Sequence, residues 1–103
     1  MSFQISITPS RRAAARHVTQ VRRQLQQAYA EEQEKRNLTQ AKIARIIGVH
    51  RSVINRELRG HKDITIGRVG ELAHAMGRRA ILTLSEMDEQ SPKTRELGGV
   101  RGR

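Results

Sequence analysis

A chain of 103 residues has room for one compact core and little for a second, which argues against a large catalytic cleft. Twenty Lys and Arg against ten Asp and Glu give a formal charge of +10 and a pI near 11.5, pointing to a polyanionic partner and to nucleic acid first. Cysteine is absent, which removes disulfides, thiolate metal sites and thiol nucleophiles; only Phe3 and Tyr29 are aromatic, too few platforms for the base stacking that single-strand binders rely on.

At the start, Phe3, Ile5 and Ile7 alternate with Gln4 and Ser6, a period of two that predicts a short strand or arm over residues 1–9, ending at Pro9. No basic stretch followed by an apolar run opens the chain, and nowhere are there about eighteen consecutive apolar residues, so a soluble, cytoplasmic protein without a membrane partner is expected. Ser10 is the expected N-cap of a helix running to about Arg36. Within it Ala14, Val18, Val21, Leu25 and Ala28 form one apolar stripe, and Arg12, Arg16 and Arg23 lie opposite. Such a helix is roughly 40 Å long, more than a small domain uses, so its first two turns are expected to project or break away. The run Glu31, Glu32, Glu34 at its end reads as a solvated face.

Thr39 is placed to cap a second helix whose inner face is Ile43, Ala44 and Ile47, and Gly48 ends it. A third helix is predicted from about His50 to Leu58, stopped by Gly60, a residue free to turn left-handed. A fourth starts near Thr65, shares one face among Ile66, Val69, Leu72, Ala73 and Met76, and terminates at Gly77. Ala80 to Leu84 suits a strand, whose only evident partner is the N-terminal strand, within the chain or across a dimer. Beyond residue 86 glycine, Pro92 and charge dominate, so the organisation reads as an arm over 1–9, a domain over 10–86 and a flexible basic tail over 87–103.

The positive charge is densest in the middle, with Asn37 to Lys62 carrying about +5. There Gln40 to Arg59 has the build of two short helices crossing over a tight turn. Ala44 allows close approach, Gly48 makes the turn, and Ile43, Ile47, Val49 and Ile54 fall inward, leaving a polar, cationic outer face. The run Leu38-Thr39-Gln40-Ala41-Lys42-Ile43-Ala44, followed by Gly48-Val49-His50-Arg51-Ser52-Val53-Ile54, resembles the Cro and phage-repressor (Xre-type) helix-turn-helix family. The likeness continues through the Thr-Ile-x-x-Val-x-Glu-Leu-Ala-x-Ala-Met-Gly pattern up to Gly77. One departure is the order Glu57-Leu58, which is reversed relative to the family and requires Leu58 to reach the core. Ser52 to Arg59 is instead similar to the recognition helix of some insertion-sequence transposases.

The resemblance implies an all-α, lambda-repressor-like domain of about four helices, with the third in the major groove of double-stranded DNA. It implies base-edge contacts from Arg51, Ser52 and Arg56, with Asn55 as a further candidate; Arg suits guanine, Asn suits adenine and Ser suits either. Thr39, Gln40, Lys42, Arg45, His50, Arg59 and Lys62 would lie along phosphates, which fix register without choosing sequence. One module reads few base pairs, so a homodimer on two half-sites is expected. His17, His50, His61 and His74 share no ligand-like spacing, and no serine has an evident base, so neither metal, cofactor nor enzymatic activity is expected. The expectation is a transcriptional repressor. Two alternatives stay open: an antitoxin that also binds a toxin partner while repressing its own operon, and a nonspecific nucleic-acid-binding protein.

Overall fold

The computed structural model describes residues 7–60 and 63–87, which contain four helices: α1 (Pro9–Arg36), α2 (Gln40–Ile47), α3 (Arg51–Arg59) and α4 (Ile66–Ala75). α1 starts earlier than the expected Ser10 cap. Thr8 is the cap, its Oγ1 accepting from the Arg11 N–H at 3.2 Å, and Pro9 takes the first helical turn, where a missing N–H has no intrahelical partner to lose. The helix ends at Asn37, which adopts the left-handed conformation (φ 57°) and donates its N–H to the Gln33 carbonyl. Asparagine tolerates that conformation better than most residues, and it turns Leu38 back into the core, 2% exposed.

The next three helices begin and end on local chemistry. Thr39 Oγ1 accepts from the Lys42 N–H at 3.1 Å, and Thr65 Oγ1 accepts from the Arg68 N–H at 3.0 Å, so each satisfies a donor the first turn leaves open. Gly48 takes φ 89° and donates to the Ala44 carbonyl at 2.7 Å, closing the turn that reverses the chain between α2 and α3. Gly60 departs from expectation: it is extended (φ −73°, ψ 175°). The Leu58 carbonyl at that end is taken by the side-chain amide of Gln26 from α1, so a left-handed cap is not needed to satisfy it.

α2 packs on α3 and α4, and α1 lies across α3 and α4. The shared core holds Leu25, Leu38, Ile43, Ala44, Ile54, Leu58, Leu72, Ala75 and Met76, with Val21, Ala28, Tyr29, Ile47, Val49, Ile64 and Val69 packed against it. Ile43, Ile54, Leu72 and Met76 have no exposed surface, each such burial stabilising the fold by about 1.5–3 kcal/mol. Leu58 is buried, as the reversed Glu57-Leu58 order requires.

Several sequence expectations are corrected. The apolar stripe of α1 reaches the core only from Val21 onward; Ala14 is exposed, and residues 9–17 are exposed throughout, so the first two turns project without breaking. Ile66 is 86% exposed, because the first position of α4 lies beyond the reach of α2 and α3. No strand occurs among the described residues: residues 78–87 are irregular, and Ile81, Leu82 and Leu84 are exposed, as is Ile7. A two-stranded ribbon is marginal without a surface to cover it, and α1 to α4 provide none there. Phe3, Ile5, Lys62 and the tail from residue 88 onward lie outside the described residues.

Candidate nucleic-acid interface

α3 is a short amphipathic helix whose two faces have separate tasks. Ile54 and Leu58, one turn apart, are buried against α1, α2 and α4, while Ser52, Arg56 and Arg59, spaced by four and three residues, share the exposed edge. Arg51 is also exposed, at the first turn. His50 caps this turn: its Nδ1 accepts from the Ser52 N–H at 3.1 Å and lies 2.9 Å from Ser52 Oγ. The imidazole therefore orients Ser52 through Nδ1 and leaves Nε2 directed elsewhere. A histidine cap is not among the usual residue choices, so the sequence carried no clear signal for it.

Asn55 is half-buried and donates its side-chain amide to Gln40 Oε1 at 3.1 Å, tying the middle of α3 to the start of α2. Two residues expected at different parts of an interface, a base edge and a phosphate, are thus joined. The pairing leaves Gln40 with both amide hydrogens and Asn55 with its carbonyl oxygen. Thr39 accepts through its oxygen at the cap, which leaves its hydroxyl proton to be donated outward. Lys42 Nζ donates to the Asn37 carbonyl at 3.2 Å, while Arg45 is exposed near the end of α2.

The one acidic residue between Asn37 and Gly60, Glu57, faces away from this edge and accepts from Arg68 Nε at 3.2 Å, with its other oxygen, Oε1, buried and without a hydrogen-bond partner. Arg68 also reaches Glu71 at 2.8 Å. The pair anchors the end of α3 to α4 and offsets the negative charge nearest to the cationic edge. Only the Arg68–Glu71 half was legible as a three-residue helical spacing; the Glu57 half joins different helices.

A second ionic cluster fixes the far side of the domain. Arg78, just past α4, reaches Glu31 at 2.7 Å and Glu32 at 2.9 Å, and Arg36 reaches Glu32 at 2.8 Å. Glu32 is buried, not part of a solvated face as the charge run suggested. The Arg36 and then the Arg78 hydrogen bonds hold its carboxyl below the ordinary value of 4.5; those from Arg78 and then Gln27 do the same for Glu31. Arg78 is held above its own ordinary value, through Glu31 first and Glu32 second. Gly77 turns the chain toward this cluster at φ 76°, where an added Cβ would meet the Arg36 guanidinium at 3.3 Å.

Among the described residues no helix is long and apolar enough to cross a membrane. No curated protein and no solved structure matches the chain. A helix-turn-helix family model matches residues 31–81, a span that takes in the end of α1, all of α2 to α4 and the Arg78 turn. The crossed pair α2–α3, its glycine turn and its cationic outer edge all lie within the matched span. Residues 31–81 thus form a helix-turn-helix domain of the DNA-binding Cro and phage-repressor (Xre-like) type.

Proposed function

We propose that the chain is a sequence-specific transcriptional repressor that binds duplex DNA as a homodimer, with α3 in the major groove, and has no enzymatic activity. The observation that carries this reading is the exposed edge of Arg51, Ser52, Arg56 and Arg59, on a helix whose other face is locked into the core by Ile54 and Leu58. A rigidly held edge of donors is what discrimination between base pairs requires. Arg51 and Arg56 are assigned to guanine O6 and N7, Ser52 to either base of a pair, and Asn55, through its remaining carbonyl oxygen, to a donor such as cytosine N4. Thr39, Gln40, Lys42, Arg45, His50, Arg59 and Lys62 are assigned to phosphates, the first two through the protons their internal hydrogen bonds leave free.

Ile81, Leu82, Leu84 and Met87 are exposed on a single protomer, more apolar surface than one short segment usually leaves in water. That surface supports a dimer joined through residues 80–87 and reading half-sites about 34–36 Å apart. A regulator of this kind works where the genome is, in the cytoplasm.

Selection of binding sites by the purified protein from random-sequence duplexes tests the reading. A two-fold symmetric site should emerge, and Arg56→Ala should lose preference at one base pair per half-site at a cost of about 1–3 kcal/mol. Recovery of all sequences alike would overturn sequence-specific reading. A reporter placed behind the selected site should fall in expression when the protein is supplied.

A further inference from the structure

The N-terminal half of α1 has no task in the core. Residues 9–17 are exposed on every side, yet the segment is helical throughout and carries Arg11, Arg12 and Arg16, with half-buried Arg22 and exposed Arg23 following on the same helix, while no Asp or Glu occurs in the chain before Glu31. A surface that only keeps a protein soluble mixes the two signs. Here the first turn lacks any acid and Arg11 and Arg12 sit at the positive end of the helix dipole, an arrangement the isolated helix disfavours. An external polyanion would reverse that preference.

The direction of the arm follows from one contact. Gln26 donates its side-chain amide to the Leu58 carbonyl, so this edge of α1 lies over the C-terminal end of α3. Arg22, one turn earlier, and Arg11, about three turns before that, lie close to the same edge, which therefore continues past the end of α3. From Gln26 to Pro9 the helix extends about 26 Å, equal to roughly seven or eight base pairs along a duplex strand. We infer that the N-terminal half of α1 is a second DNA contact, a cationic arm that grips backbone phosphates flanking the segment occupied by α3. A second copy of this chain complements the arm poorly, because it carries twenty Lys and Arg against ten Asp and Glu, and of those acids Glu31, Glu32, Glu57 and Glu71 are already ion-paired within it.

This inference rests on the DNA-binding reading above, and the test separates the two. In the full chain, Arg11, Arg12, Arg16 and Arg23, all exposed, are changed together to Gln, which keeps helix propensity; far-UV circular dichroism should be unchanged. Binding to random-sequence duplexes of about 15 and 30 base pairs is then followed by fluorescence anisotropy between 50 and 200 mM salt. Each phosphate contact contributes about 0.9 to the slope of log affinity against log salt. The variant should therefore lose a slope of about 2 to 4 per protomer on the long duplex, and lengthening the duplex should strengthen binding of the unaltered protein only. An unchanged slope, with Arg56→Ala still relaxing sequence preference, overturns the arm and leaves the α3 reading intact. An unchanged slope with loss of self-association in sedimentation assigns the arm to protein pairing and likewise overturns it. Failure of the unaltered protein to bind either duplex removes the DNA reading itself.

Discussion

The two halves of α1 carry the same kind of pattern and meet different fates. Val21, Leu25, Ala28 and Glu32 face α3, α4 and the Arg78 turn, whereas Ala14, two turns before Val21, faces water. The helix is continuous between them; what ends, among the described residues, is the set of elements packed against it. Periodicity thus identifies the face a helix is able to bury, and the length of the partner elements decides how much of it is buried. Where burial stops, charge takes over, with Arg11, Arg12 and Arg16 in the exposed part and no acid to balance them.

The comparison can be broken most decisively by truncating one residue in the packed half. Leu25→Ala should lower stability by about 2–5 kcal/mol in urea unfolding, since Leu25 is 6% exposed inside the shared core. The corresponding Val18→Ala, ahead of the core contacts, should stay within about 0.5 kcal/mol of the unaltered protein. Equal losses at the two positions would mean that the outer half also packs. Next in size, Gly77→Ala should cost about 1–2 kcal/mol, because alanine resists φ 76° and its methyl would press on Arg36 where α1 is clamped to the turn after α4. Ala14→Gly should cost about 1 kcal/mol of helix propensity. With no tertiary contact to lose, this change should appear in hydrogen exchange as fraying of residues 9–17, with the global unfolding midpoint almost unmoved.

The smallest effect sharpens the same contrast through pH. Glu31 and Glu32 titrate below 4.5 in the folded chain, so the stabilisation from their ion pairs is complete above that value and is lost as pH falls through the lowered ones. Thermal midpoints measured across this acidic range should decline less steeply for Glu32→Gln than for the unaltered chain. The difference should shrink further in high salt, as expected for pairs that solvent partly screens. A decline of the same steepness in both proteins would place the acid sensitivity elsewhere.

Much of the fold was legible because it rests on short-range chemistry. Thr39 and Thr65 satisfy amides three residues away, and Gly48 and Gly77 occupy the left-handed conformation at helix ends. Thr8 rather than Ser10 is the first cap because it offers the same hydroxyl two residues earlier and Pro9 is well suited to the first helical turn. The exposed α3 edge was legible for a similar reason: once Ile54 and Leu58 point inward, helical geometry leaves Ser52, Arg56 and Arg59 outside.

The amino-acid order alone therefore determined where α2 and α4 start and stop, that Ser52, Arg56 and Arg59 of α3 face outward, and how charge is distributed along the chain. Tertiary structure decided the remainder: that Glu32 is buried between Arg36 and Arg78, that Asn55 is held by Gln40, that Glu57 is held by Arg68, and that residues 80–84 remain irregular. Except for the Glu32–Arg36 pair, these outcomes depend on segments separated by a turn or by most of the domain. Their energies exist only after the helices cross, so no local pattern could encode them in readable form.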